Sequence, residues 1–195
     1  MSANHAAFNL IFRFVENYVS PIAGRISSQR HVMAIRDGFI SAMPFMIVGS
    51  FLLVFAYPPF SPDTTWGFAR AWLDMAKQFE GQILTPFDMT MGVMSLYICA
   101  AIAYNLGKHY VKTHQLDPFM CAMLSLMAFL LVAAPKTKGA LPVDSLGGTG
   151  IFTAILVAIY CVEMMRFLKV HNIGIRLPDQ VPPMIKNSFD LLIPV

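Results

Sequence analysis

The sequence predicts an all-α membrane protein: an N-terminal amphipathic helix, four transmembrane helices and the truncated start of a fifth. Three observations carry this. Residues 39–57 contain no charge across nineteen positions, and at about 1.5 Å per residue such a helix crosses a hydrocarbon core of roughly 30 Å. Met89–Leu106, Pro118–Ala134 and Gly150–Val162 are further long stretches without a charge. The composition is 56% hydrophobic and 13% charged, where a soluble domain carries about 25% charged residues.

Residues 6–23 read as the amphipathic helix. Asn9, Arg13, Glu16, Asn17, Ser20 and Gly24 recur at three- and four-residue steps, while Phe8, Ile11, Phe12, Val15, Val19 and Ile22 fill the other side. A broad apolar face with a narrow polar stripe suits a helix lying at the membrane surface or against the bundle, the alternative being the same helix packed on a soluble partner. A basic stretch from Arg25 to Arg36 leads into the first span, which carries Pro44 in its first third; neighbouring helices make such a proline tolerable. Pro58, Pro59 and Pro62 end it. Thr65–Phe79 predicts a short amphipathic helix with Trp66 and Trp72 as interfacial anchors, broken by Gly81 and Pro86.

The second span starts near Asp88, read as its N-cap in preference to an ion-coupling carboxylate. Gly92, Ser95, Cys99 and Ala103 line one face, a spacing that lets helices approach closely. Asp117 and Pro118 open the third span as N-cap and first helical residue. Pro135 closes it. The loop to Gly150 is rich in Gly and Pro; its Gly147–Gly150 run lacks the Lys-Ser/Thr pair of a phosphate loop. The fourth span ends at Glu163, with Arg166 as an i,i+3 partner.

Lys and Arg set the orientation. Alternate segments carry ten against four, and the ten-residue set (the N-terminus, 107–117 and the segment after the fourth span) is predicted cytoplasmic. The net charge of +3 is too small and scattered to point to nucleic acid. Cys99, Cys121 and Cys161 fall within apolar segments and read as buried free thiols. His109 and His114, five apart, share no helix face; with Lys108 and Lys112 they read as a solvated basic loop, and His31 and His171 as solvated too. No catalytic set and no metal-ligand or cofactor-binding set can be assembled. Substrate-binding residues are not assignable. The chain ends on Leu191-Leu192-Ile193-Pro194-Val195, which looks like the first turns of a fifth span and points to a truncated or split gene product.

Three segments are more specific: RHVMAIRDGFISAMPFMIVGSF at 30–51, MGVMSLYICAAIAYNLG at 91–107 and RLPDQVPPMIKNSFDLLIP at 176–194. Together they resemble component IIC, the membrane permease of the bacterial phosphotransferase system, in its lactose/cellobiose branch. Gly38, Phe39, Ile40, Met43 and Pro44 match one motif of that family. Leu177, Pro178, Asp179, Val181, Pro182, Pro183, Ser188, Phe189, Leu192, Ile193 and Pro194 match a longer one. The prolines of the second forbid a regular helix, so it reads as a rigid linker.

The resemblance covers nearly the whole chain but only the N-terminal half of the family pattern. It implies domain 1–195 as half of a permease: a cytoplasmic lead at 1–36, a four-span bundle at 37–165, and a linker with the start of the next span at 166–195. It implies a place in the bacterial plasma (inner) membrane, uptake of a β-linked disaccharide such as cellobiose, chitobiose or lactose, a homodimer embedded in lipid, and soluble IIB and IIA partners. The phosphotransferase activity belongs to that assembled system, and the phosphoryl group comes from IIB. The sugar-gripping residues belong to the C-terminal half of the family, so disaccharide binding is expected only together with such a half. The alternative is a truncated, non-transporting scaffold or remnant.

Overall fold

A computed structural model describes residue 13 and residues 15–134, 143–171 and 173. The linker motif, the start of the fifth span, Pro135 and residues 6–12 and 14 of the amphipathic helix at 6–23 lie outside the described residues. Within them the chain is helical and shows no strand. After a π turn at Val15–Val19 come α1 (Ser20–Ser27), α2 (Arg30–Ala56), α3 (Gly67–Phe87), α4 (Met94–His114), α5 (Pro118–Ala133) and α6 (Ile151–Val170). Three helical stretches are long and apolar enough to cross a membrane: Arg30–Ala56, Gly67–His114 and Gly148–Val170. α5 is a shorter apolar helix of 16 residues.

The bundle is built around α4, which packs against α2, α5 and α6. Its small face is the reason. Ser95, Cys99 and Ala103 are wholly buried, as are Ile98, Ile102 and Leu106 between them. The predicted close-packing face therefore meets helices of its own chain. α2 answers with small residues of its own: its buried positions are Ala34, Gly38, Ala42, Gly49 and Ala56. Its large side chains, among them Ile40, Ile47, Phe51 and Val54, point outward. A soluble helix buries its large apolar residues; burying the small ones and exposing the large ones is the arrangement of a helix in lipid. The two helices run antiparallel, with Gly38 against Ile102 and Gly49 against Thr90 and Met91.

Local signals account for several boundaries. The Asp117 carboxylate accepts from the backbone N–H of Phe119 at 2.8 Å and Met120 at 3.4 Å, so it caps α5 ahead of Pro118 as its sequence predicts. Pro44 sits inside an unbroken α2. Trp72 donates its indole N–H to the Phe55 carbonyl at 3.2 Å, and Phe60 packs edge-on against Trp66 and Trp72. These aromatics fold the 57–66 loop back onto α3. Tyr57 donates to the Glu80 carboxylate at 3.1 Å.

Four expectations are corrected. Gly81 and Pro86 do not break the helix after Trp66: α3 runs through both. The Thr85 hydroxyl donates to the Gly81 carbonyl, and the Thr90 hydroxyl to those of Pro86 and Phe87, so hydroxyls satisfy carbonyls around the proline. Asp88 is no N-cap. It lies on helical backbone at the first residue of a π turn, Asp88–Gly92, with no side-chain cap bond at the start of that turn or of α4. The start of α4 is held instead by the loop before α6, where the Leu146 carbonyl accepts from the Ser95 backbone N–H at 3.0 Å and from the Ser95 hydroxyl. The 107–117 segment is mostly helix rather than loop: α4 persists to His114 and stops at Gln115, whose φ is 54°. Gly107 is no breaker there because it lies flush against Pro118 and Cys121. Finally, α6 runs on past Glu163 to Val170.

Close approach is directly testable. A Cβ at Gly38 would strike the Ile102 side chain and lie 2.9 Å from its backbone nitrogen, whereas one at Gly81 meets nothing within 4 Å. Gly38→Ala should therefore destabilise the detergent-solubilised chain by about 1–3 kcal/mol. Gly81→Ala should hold or raise stability by up to about 1 kcal/mol through helix propensity. Thermal melts of the two variants beside the parent check the pair; equal melting points would mean α2 and α4 are not in contact.

Candidate functional site

The apolar bundle places its polar chemistry at one end, where α2 begins and α4 and α6 finish. Glu163 lies one helical turn before Arg166, and the Arg166 Nε to Glu163 Oε2 distance is 2.8 Å, the predicted i,i+3 pair. The carboxylate does more than this. His31 from α2 is 2.9 Å away through Nε2, and the Tyr110 hydroxyl of α4 donates to the same Oε1. One carboxylate thus joins three helices.

Tyr110 is the hub of the second layer. It is 1% exposed. The guanidinium carbons of Arg30 and Arg166 each lie 5.3 Å from its ring centre, within cation–π range. His114 meets the ring edge-on at 5.4 Å. The register of α2 explains why His31 reaches this point. It lies seven residues before Gly38, two turns along the helix, and so on the face that packs against α4.

His31 therefore corrects the solvated reading: its side chain is 29% exposed and bonded across the bundle. His114 is half-buried and bonds Thr113 at 2.7 Å. His109 and His171 remain exposed, the latter bonded only to its own helix at the Phe167 carbonyl. Cys99, Cys121 and Cys161 are buried free thiols as the sequence predicts, with the Cys99 thiol donating to the Ser125 carbonyl at 3.5 Å. A separation of 132 residues hides the His31–Glu163 contact.

Chemically the node is a fastener. Oε1 of Glu163 accepts from His31 and Tyr110, and Oε2 is held in the ion pair with Arg166. Removing the shared acceptor strands two donors and leaves Arg166 without its ion-pair partner. Glu163→Ala should cost about 1–3 kcal/mol or more of stability, and Tyr110→Phe about 1 kcal/mol for a single bond. In a double-mutant cycle with His31→Ala, Glu163→Ala should be strongly non-additive. Additive melting-point losses would show that the two residues do not touch.

Comparison with known proteins agrees with the fold. Residues 36–195 match the family model described as Phosphotransferase system, EIIC. The chain is 36% identical to the PTS system cellobiose-specific EIIC component of Geobacillus stearothermophilus, over 93% of this chain and 42% of that protein. It is 34% identical to the Lichenan permease IIC component of Bacillus subtilis (strain 168), over 95% and 42%. Against the PTS system lactose-specific EIICB component of Streptococcus mutans it is 33% identical, over 89% and 30%. Among solved structures it superposes with TM-score 0.75 and 35% identity on the crystal structure of the transporter ChbC, the IIC component from the N,N'-diacetylchitobiose-specific phosphotransferase system, covering 93% of this chain and 43% of that one. The chain thus spans about two fifths of the length of the first two relatives and of the solved structure. Five residues that carry the resemblance, Gly38, Phe39, Ile40, Met43 and Pro44, lie on α2, and Gly38 makes its contact with α4. On the match across 36–195 and the shared helical fold, this chain belongs to the phosphotransferase system EIIC family.

Proposed function

We propose that this chain forms the N-terminal part of a phosphoenolpyruvate-dependent sugar permease whose substrate is a β-linked disaccharide of the cellobiose, chitobiose or lactose kind. The observation that carries this is the family match over 36–195 together with relatives named for cellobiose, lactose and N,N'-diacetylchitobiose. In this reading the complete permease brings the sugar across the bacterial plasma membrane, and a IIB partner, supplied in turn by IIA, phosphorylates it. Relatives in which a IIC and a IIB component share one name, such as the lactose-specific EIICB proteins, support that partnership. A homodimer is part of the same proposal.

The uncharged runs of α2, the 89–106 region, α5 and α6 serve as four spans. Residues 1–36 form a cytoplasmic lead, 37–165 the bundle, and 166–195 a linker with the start of the next span. The ten-to-four distribution of Lys and Arg supports a cytoplasmic N-terminus. The His31–Glu163 node then lies on the cytoplasmic side and Asp63 outside. In a background without the three native cysteines, a cysteine at position 63 should react with an impermeant reagent added to intact cells, and one at position 112 should not. The reverse pattern would invert the topology.

The sugar-gripping residues, by the family resemblance, lie outside these 195 positions. The purified chain should show no saturable binding of labelled cellobiose or diacetylchitobiose while a complete family member does. Co-expression with the C-terminal half of a close relative should restore uptake. Binding by the short chain near the control's affinity would place a sugar site within this bundle. Failure of uptake with a folded, associated C-terminal half would favour a non-transporting scaffold.

A further inference from the structure

The polar node carries more positive charge than the described residues around it neutralise. The charged and titratable groups that meet there are Arg30 and His31 of α2, Tyr110 and His114 of α4, and Glu163 and Arg166 of α6. Glu163 is the single carboxylate in that set, and it is already shared by His31, Tyr110 and Arg166. Among the described residues Arg30 has no carboxylate partner; its contact in the node is the face of the Tyr110 ring. Two guanidinium groups thus converge on one aromatic ring with one carboxylate between them.

Their position matters as much as their charge. Arg30 stands about two turns before the uncharged run of α2, and Arg166 one turn after the apolar run of α6. Arg166 therefore falls at the level of the lipid headgroups, a layer several ångström deep on each side of the hydrocarbon, and the Tyr110 ring shared by both guanidinium groups brings Arg30 to the same level. Arg30 is exposed and the Arg166 side chain is 38% exposed, so both reach that layer. On the same end of α6, Phe167 and Val170 expose half of their apolar surface, a flank suited to acyl chains. A general excess of Lys and Arg on one side accounts for basic residues here. It does not account for two arginines seated on a single buried tyrosine.

We propose that Arg30 and Arg166, braced on Tyr110, form a binding site for the phosphate of an anionic phospholipid headgroup. Guanidinium offers paired N–H donors in a plane that matches phosphate oxygens, and basic recesses between membrane helices at the cytoplasmic face hold such headgroups. A lipid seated here bridges the starts and ends of two helices at the point where Glu163 already joins them. It therefore adds to the stability of the bundle. The inference rests on the bilayer placement given above and not on the sugar; loss of lipid binding with uptake intact would defeat this inference alone.

The test uses the purified 195-residue chain in neutral detergent, with native mass spectrometry to count and titrate bound lipid. Dioleoylphosphatidylglycerol should bind saturably and dioleoylphosphatidylcholine should not. Arg30→Gln should weaken phosphatidylglycerol binding about fivefold, the effect of roughly one basic residue at an anionic headgroup. Arg30→Lys should keep part of the affinity. Lys77→Gln, which changes the net charge equally on α3, away from the node, should leave it unchanged. Equal losses in Arg30→Gln and Lys77→Gln, or equal binding of the two lipids, would overturn the site. Inorganic phosphate binding as tightly as the lipid would assign the site to a soluble anion and overturn the lipid assignment. If Arg30→Gln fails to fold, photo-cross-linking of a phosphatidylglycerol analogue to the unaltered chain decides: label on the peptides around Arg30 or Arg166 supports the site, and label confined to other peptides overturns it.

Discussion

The close approach of α2 to α4 fixes most of this structure. Between helices in lipid, apolar side chains gain little by leaving one hydrocarbon for another, so association depends on contact density and backbone proximity. Gly38 against Ile102 and Gly49 against Met91 supply that proximity. With the seam fixed, the register of α2 follows, and with the register follows the face on which His31 emerges. The polar node at Glu163 is thus a consequence of a glycine two turns away.

The other end of α4 is set differently. There the helical path from α3 loosens into the π turn at Asp88–Gly92, and Val93 at φ −119° and ψ 23° leaves helical geometry. π turns and lone glycines inside long helices mark places where the hydrogen-bond ladder is interrupted, and the freed donors need partners away from water. The Leu146 carbonyl supplies one, taking both donors of Ser95. Gly150 allows this because a side chain there would strike the Ser145 carbonyl and crowd the Ser95 hydroxyl at 2.9 Å. The Gly-rich run that superficially resembles a phosphate loop is therefore a closely packed turn serving a helix start.

Features that depend on neighbours in sequence were legible from the residues alone. The uncharged runs, the Asp117–Pro118 start, the intact passage through Pro44, the i,i+3 pair of Glu163 and Arg166 and the small face of α4 all express local rules, and the helices confirm each. The errors share a cause. Gly81 and Pro86 were weighed as isolated breakers, yet Thr85 and Thr90 stand within a turn of them and satisfy carbonyls around the proline. Asp88 has the composition of a cap but lies on a helical path that is already under way. His31 looks solvated in a basic stretch because its partner is on another helix, and no periodicity within one segment reveals a contact across three.

The division between the two kinds of fastening follows from the solvent. A hydrogen-bonded carboxylate in the middle of the hydrocarbon would carry a large desolvation cost, and charged groups there are rare and functional. Placed directly at the end of the apolar run, Glu163 meets two donors and the Arg166 guanidinium while its side chain stays 27% exposed, so the desolvation cost is small and the bonds retain directional value. Small-residue packing has the opposite profile, since it needs no solvent contact and works best where no water competes. The bundle accordingly uses packing along α2 and α4 through the apolar zone, a charge-assisted node at one end, and the indole–carbonyl bond of Trp72 with its aromatic neighbours at the other. Exchanging the positions of these devices would leave the middle of the membrane with an unsolvated charge and the headgroup layer with a seam that water can enter.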